Sequence, residues 1–497
     1  MSEKQEDRPS SFGRTAARGA AHIGTAQAVK VFLSIASTIV VARILSPVEY
    51  GIVAMAAPVA AFLIMFQNLG LNHATVQSKT LSASQSNSLF WVNMGASAAI
   101  VVAMLALAPV VAWFYGDPRP GYVTAASALT VLISGSALQH MALLNRAMRF
   151  PAISRITIIS SVATFVATVG AALLLRNYWA LWVGTFIGTF VGVVLTWWSS
   201  AWRPSIRVSF AGVGEMVRFG GSLTGFNFFD FIARHIDNVL IGRVWGSAAL
   251  GLYDRSFRLM MFPLQNINAP ISRVMVPVLS RLQDEPERFR RSYLTAAQAI
   301  ALAAVPGIAV AGATSDRLIP FLLGDQWSGA APIFFWFSIA ALTKPLSNTT
   351  GWLFIATGQG RALLKWGIVS GITTLLAIVI GVQWGATEVA MALAIRSVVT
   401  MPALFAWCVR GTPVRTADLY GVQLPGLAAA LVTWAAISWA SPHLNFVSLL
   451  CIAVPFAYAL ALGLAAFRED GRAAIASIWH QARMLLRIGG PIASARP

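Results

Sequence analysis

Apolar stretches of about 20 residues recur along the whole chain, the length a helix needs to cross the hydrocarbon core of a bilayer. Fourteen are read, at 20–43, 51–70, 87–113, 121–143, 152–175, 179–201, 219–243, 251–275, 293–316, 331–354, 362–382, 387–409, 423–440 and 446–467. In lipid every backbone polar group must be satisfied within its own segment, so the pattern points to an all-α polytopic membrane protein. The connections are short and hold turn formers such as Ser46-Pro47, Gly116-Asp117-Pro118, Gly358-Gln359-Gly360 and Ser441-Pro442. None has the length to fold as an extramembrane domain. No phosphate loop of the GxxxxGK[ST] type occurs, so a built-in ATPase is excluded and transport would draw on an ion or substrate gradient.

Composition agrees. Of 497 residues, 57% are hydrophobic and 11% charged, against about 25% charged in a soluble domain. The charge is lopsided, 36 Lys and Arg to 18 Asp and Glu, a formal +18. In a soluble protein that excess would suggest nucleic acid, whereas in a membrane protein it marks the cytoplasmic loops. Where the cations sit decides between the two. With the N-terminus inside, twenty-three lie in one set of connections and the two tails. The opposite set holds only Arg43, Arg119, Arg176, Arg243 and Arg317. This split predicts cytoplasmic termini and an even number of spans, and it demotes nucleic-acid binding.

The domain reading follows the spans. Residues 1–19 are a polar cytoplasmic tail without the apolar core of a cleaved signal peptide. Blocks 20–201 and 219–409 are two six-helix lobes, 423–467 adds two helices, and 468–497 is a second cytoplasmic tail. In that tail Ile475, Ile478, Trp479, Ala482, Leu485 and Leu486 recur at helical spacing opposite Arg472, His480, Arg483 and Arg487. They form an amphipathic helix on the membrane surface or a solvated tail. A shift of 200 residues aligns Arg43-Ile-Leu-Ser-Pro-Val-Glu-Tyr-Gly51 with Arg243-Val-Trp-Gly-Ser-Ala-Ala-Leu-Gly251. Each segment opens a six-helix block with the same in/out sense, which implies parallel repeats.

Eight cations fall inside the spans: Lys30, Arg155, Arg234, Arg255, Arg258, Arg273, Lys344 and Arg396. Each costs roughly 2.5–3.5 kcal/mol at mid-depth unless it faces water or a partner. Arg155, Arg273, Arg255 and Arg258 lie near enough to an end to snorkel. Lys30, Arg234, Lys344 and Arg396 lie deeper. Gln27, Lys30, Ser34, Ser37 and Thr38 make a polar stripe on the first helix, and Asp230, Arg234 and Asp237 share a face of the seventh. Lys344 and Asn348 follow the same spacing beside Pro345, and Asp254 and Arg258 form an i,i+4 pair. Asp230–Arg234 reads either as a structural ion pair or as an anion-binding Arg beside a proton-carrying Asp. Lys30 and Lys344 have no acid near them on their own helices. Cations in these positions suit an anionic head group.

No bond-making site stands out. The six histidines lack metal-ligand spacing, Cys408 and Cys451 lie in predicted helices, and there is no GxSxG. No metal, cofactor or catalytic residue is expected, and the chain reads as a transporter rather than an enzyme.

The run Val41-Ala-Arg-Ile-Leu-Ser-Pro-Val-Glu-Tyr-Gly-Ile-Val-Ala-Met55 resembles the first helix hairpin of Wzx-type polysaccharide flippases. So do Asn68-Leu-Gly-Leu71, Gln77-Ser-Lys79 and Leu89-Phe-Trp-Val-Asn93, as well as Asp237-Asn-Val-Leu-Ile-Gly-Arg-Val-Trp-Gly246 with Ala249-Leu-Gly-Leu-Tyr-Asp254. These flippases, among them the colanic-acid-type exporters, belong to the multidrug/oligosaccharidyl-lipid/polysaccharide exporter superfamily. The resemblance implies a V-shaped pair of six-helix lobes around a cationic cavity in a bacterial inner membrane. It also implies an undecaprenyl-diphosphate-linked oligosaccharide repeat unit as substrate, flipped to the periplasmic leaflet by alternating access for exopolysaccharide or lipopolysaccharide synthesis. Lys30, Arg234, Lys344, Arg255 and Arg258 are then the candidates for the diphosphate. Gln27, Asp230, Asp237, Asn348 and Arg396 are candidates for cavity lining or ion coupling. The implied partners are the bilayer and the lipid-linked substrate, with polysaccharide polymerase and chain-length machinery as candidates, and the protein is expected to act as a monomer. The alternatives are a cation-coupled drug exporter of the same superfamily and a membrane polysaccharide polymerase or ligase.

The orientation is directly testable. Alkaline phosphatase fused after Asp117 should be active and the same fusion after Arg203 inactive, with a fluorescent-protein fusion behaving oppositely. Equal phosphatase activity at both sites would contradict the charge reading.

Overall fold

The computed structural model describes residues 8–67, 82–206 and 213–476, together with Thr75 and Trp479. They form helices and no strand. In chain order these are α1 (Arg8–Ala42), α2 (Pro47–Gln67), α3 (Ala83–Tyr115), α4 (Pro118–Arg146), α5 (Phe150–Leu175), α6 (Trp179–Ser199) and α7 (Val213–Arg281). Then follow α8 (Pro286–Ala313), α9 (Ser315–Leu323), α10 (Ala330–Ala356), α11 (Gly360–Gly381), α12 (Ala386–Cys408), α13 (Thr416–Ala440) and α14 (Phe446–Ala466). Among the described residues, twelve of these helices are long and apolar enough to cross a membrane.

Helix ends follow local chemistry. Ser82 caps α3 by accepting from the Gln85 amide, while the Gln85 side chain accepts from the Ser82 amide, a reciprocal box. Gly116, left-handed at φ 68°, ends α3, and Asp117 with Pro118 starts α4. Arg119 donates to the Asp117 carboxylate at 2.7 Å, and that hydrogen bond holds the Asp117 carboxyl below its usual range.

Two connections take a specific form. As expected, the predicted spans 219–243 and 251–275 fall on two helical segments of α7, which meet at Gly246 (φ 78°, ψ −176°). A single glycine in this conformation breaks the helical path without a loop. The connection after 313 is not a plain turn. Ile319, Leu323 and Trp327 recur every four residues and are all buried, so the segment folds into α9 and a 3-10 turn over Asp325–Trp327.

The chain divides into two compact units, one of Met1–Gly251 with Leu322–Gln326, the other of Leu252–Phe321 with Trp327–Pro497. In the first unit α3 packs on α4, α5 on α6 and α1, and α2 on α3 and α4. The α5–α6 contact is close because Gly184 and Gly188 face Thr168 and Thr164, small residues at a four-residue period. In the second unit α8 meets α10, α13 and α14, and α12 meets α10 and α11. About 67% of the apolar window is buried in both α8 and α10 but only 11% in α11. α8 and α10 are therefore the interior of this unit, and α11 lies on its outside.

Of the expected amphipathic tail helix, 469–476 is helical and Trp479 is exposed. Ala474 is fully buried against Leu302, Ala429, Ala461 and Ala465, with Ile475 beside it. The start of this segment thus packs on the bundle. Ile478, Ala482, Leu485 and Leu486 lie outside the described residues.

The 200-residue sequence repeat has a structural counterpart inside the first unit. A Cβ on Gly51 would lie 1.7 Å from the Ser247 carbonyl oxygen, and one on Gly251 would lie 1.9 Å from the Pro47 carbonyl oxygen. Pro47 and Ser247, like Gly51 and Gly251, are 200 residues apart, so the contact is reciprocal. Arg43 donates to the Leu322 carbonyl at 3.3 Å, and Gln326 donates to the Ala42 carbonyl at 2.7 Å. The connection 43–47, read as outward-facing, thereby packs on 322–326, and the helix starts 47–51 and 247–251 pack on each other.

Gly51→Ala and Gly251→Ala should each lower stability by about 1–3 kcal/mol through overpacking, measured by thermal unfolding in detergent. Gly367→Ala, with open space around it, should be neutral or slightly stabilising. Equal effects at the three positions would contradict the close contact.

Candidate functional site

In the first unit the polar stripe of α1 is largely exposed. Gln27 and Lys30 are both exposed, on a helix with only 17% of its apolar window buried. Ser34 and Thr38 stack by a hydrogen bond from the Thr38 hydroxyl to the Ser34 carbonyl at 2.9 Å. The Lys30 ammonium has no hydrogen bond or ion pair among the described residues. On α7, Arg234 is exposed and Asp237 half-buried, with the Asp237 carboxylate accepting from the Asn238 amide at 2.9 Å. His235 packs its ring on Phe231 at 4.4 Å. The Asp230 side chain lies outside the described residues.

In the second unit, Asp254, Arg255 and Arg258 come together. The Asp254 carboxylate is 4% exposed and accepts from Arg258 at 2.8 Å and from Arg255 at 3.1 Å. One carboxylate serves two guanidiniums, so the cluster keeps a net positive charge. The i,i+4 pair read from the sequence is therefore a triad. Arg258, whose side chain is 57% exposed, keeps donors available to an anion. Arg255 is 19% exposed and acts mainly within the cluster.

Lys344 is half-buried on α10 beside buried Pro345, and Asn348, one turn on, is exposed. Pro345 removes an intrahelical donor, and near it the Gln423 amide of α13 donates to the Leu342 carbonyl at 3.0 Å. Arg396 has a different setting. It donates to the Ser370 carbonyl at 2.9 Å, to the Ser370 hydroxyl, and to the Thr373 hydroxyl at 3.2 Å. Its guanidinium clasps α12 to α11, and a cation in a span is satisfied by neutral acceptors.

Two groups were not singled out from the sequence. Arg290, counted there among the orientation charges, makes a two-pronged pair with Asp418 at 2.8 and 2.6 Å, joining α8 to α13. Asp418 also accepts from the Arg415 amide at 2.8 Å. The available signal was the scarcity of acids near these helix starts. His140 is fully buried and stacks on Trp197 at 4.2 Å, with Phe90 and Trp202 around it. It is a member of an aromatic box, where spacing alone showed an isolated histidine.

Twelve helices among the described residues long and apolar enough to cross a membrane, with charged side chains along them, describe a multi-pass membrane protein. A family profile described as "Polysaccharide biosynthesis protein" matches residues 40–332, more than half of the chain, and the chain belongs to that family. The matched range contains both segments on which the flippase resemblance rested. The chain is 22% identical over 371 residues to the lipopolysaccharide biosynthesis protein WzxC of Escherichia coli K12, covering 73% of this chain and 75% of that one. It is 26% identical over 356 residues to the succinoglycan biosynthesis transport protein ExoT of Rhizobium meliloti, covering 71% of each. Its fold is similar to the inward closed conformation of the lipid II flippase MurJ, with a TM-score of 0.71 at 12% identity over 89% of this chain and 98% of that one. An inward-facing multidrug transporter of the multidrug/oligosaccharidyl-lipid/polysaccharide superfamily is similar at a TM-score of 0.57 and 12% identity, covering 78% and 95%. The chain is a multi-pass membrane protein of polysaccharide biosynthesis with the flippase fold.

Asp254→Asn should destabilise the protein by about 3–5 kcal/mol, because it strands two cations beside a buried site. Adding Arg258→Gln should restore part of the loss, measured as thermal stability in detergent. A double variant no better than Asp254→Asn would contradict the triad.

Proposed function

We propose that the protein flips an undecaprenyl-diphosphate-linked oligosaccharide repeat unit from the cytoplasmic to the periplasmic leaflet of a bacterial inner membrane. The observation that carries this reading is Lys30, an exposed ammonium on a membrane-spanning helix with no ionic partner among the described residues. Its insertion cost of roughly 2.5–3.5 kcal/mol is offset when water or an anion reaches it. A diphosphate supplies that anion, and its oxygens accept from ammonium and guanidinium groups alike. Arg234, Arg258 and Lys344 are the further cations of the same chemistry, with Arg255 behind Arg258. Asn348 and Gln27 offer neutral donors and acceptors for sugar hydroxyls, and Asp230 or Asp237 is the candidate for ion coupling.

The proposed transport cycle is alternating access by two six-helix lobes, 20–201 and 219–409, with 423–467 as an addition. The reciprocal Gly51–Gly251 contact supports the repeat relation behind it. Release of cargo outward requires the packed outward connections to part. Both termini are cytoplasmic in this scheme, and the protein performs no bond-making step. Membership of a polysaccharide biosynthesis family and the relatives' names support a glycan cargo. The drug-exporter alternative calls for an acidic site, and the cations on α1, α7 and α10 disfavour it.

Lys30→Ala should reduce repeat-unit translocation at least tenfold, with Lys30→Arg retaining most of it, while membrane levels stay normal. Flipping is read from surface polysaccharide and from lipid-linked sugar retained on the cytoplasmic face. Wild-type flipping in Lys30→Ala would overturn the cationic-site reading.

A further inference from the structure

Three cations assigned by sequence to orientation alone converge at one end of the second unit. Arg361 and Lys365 stand one turn apart at the start of α11, and Arg410 follows the end of α12. With Gln359, Ala362 and Trp407 they line a cleft of about 280 Å³. The Gln359 amide donates to the Arg410 carbonyl at 2.8 Å, which ties the two connections together. Gly411, left-handed at φ 69°, turns the chain away directly after Arg410. The Arg410 guanidinium lies 5.3 Å over the Trp407 ring, an arrangement that fixes its fork.

No carboxylate lines this cleft, and Arg361, Lys365 and Arg410 make no ion pair among the described residues. Like charges one turn apart on a helix repel, so the arrangement calls for an anion. The first turn of α11 adds the positive end of its dipole. Below the cations the walls are apolar and outward. Leu364, Ile368, Ile372 and Leu375 are 45–55% exposed on α11, and Ile395 and Val399 are 50% and 68% exposed on α12. A charged cleft at the head of two helices with exposed apolar side chains matches an amphiphile, with its phosphate among the cations and its acyl chains along the helices.

We propose that this cleft is a binding site for the head group of an anionic phospholipid. The charge reading puts it at the cytoplasmic leaflet. The site rests on membrane embedding alone and is independent of which cargo the protein carries.

The test uses the full chain, purified and reconstituted in phosphatidylcholine nanodiscs with or without phosphatidylglycerol. Lipid retained on release is counted by native mass spectrometry, and thermal stability is followed in parallel. Phosphatidylglycerol should be retained over phosphatidylcholine and should raise the melting temperature. Each of Arg361→Gln, Lys365→Gln and Arg410→Gln should weaken retention about fivefold, and the triple variant on the order of a hundredfold. Arg281→Gln with Arg291→Gln, exposed cations outside the cleft, should leave retention unchanged and serves as the control for general surface charge. Undiminished selectivity in the folded triple variant would overturn the proposal, as would equal loss in the control. Inorganic phosphate reproducing the full stabilisation would overturn the lipid assignment.

Discussion

A cation inside a hydrocarbon layer must find a carboxylate, a set of neutral acceptors, or water, and several intramembrane charges of this protein can be understood by which of these they meet. Asp254 neutralises part of the charge of Arg255 and Arg258 at 2.8–3.1 Å. Arg396 turns to the Ser370 carbonyl and the hydroxyls of α11. Lys30 has no such ion pair or hydrogen bond among the described residues, so its stability depends on what enters from outside the protein. That contrast sets Lys30 apart from the cations that hold helices together.

Much of the architecture is legible in the sequence because lipid leaves few options. A run of about twenty apolar residues has to be a helix, and the observed helices overlap the predicted stretches throughout the described residues. Boundaries are less legible, since helices continue past the apolar run into the interface. α13 begins at Thr416 and α2 at Pro47, ahead of the first apolar residues used to place them. The helix α9 was missed because Ile319, Leu323 and Trp327 are spaced over too short a segment to register as a span. The break in α7 was legible as the connection after 243, but its form, one backbone conformation at Gly246, is not set by spacing.

The site was legible in kind but not in pairing. Residue type and depth identified the costly cations, while the partners of Arg396 come from the neighbouring helix and leave no periodic trace. Asp254 and Arg258 were legible because both sit on one helix face; Arg255 joins them by reaching around. The reciprocal contact of Gly51 and Gly251 gives a physical reason for the glycines of the 200-residue repeat. Two helix starts cross so closely that each lacks room for a methyl group. A symmetric crossing of this kind is where duplicated halves would be expected to retain the same small residue.

The central claim is that a lipid-linked sugar diphosphate is the cargo. The most direct measurement is deletion of the gene followed by extraction and sidedness analysis of undecaprenyl-linked sugars. The account predicts build-up of one completed oligosaccharide unit on the cytoplasmic face, reversed by the intact gene. Completed units reaching the periplasmic face at the wild-type rate in the deletion strain would contradict it.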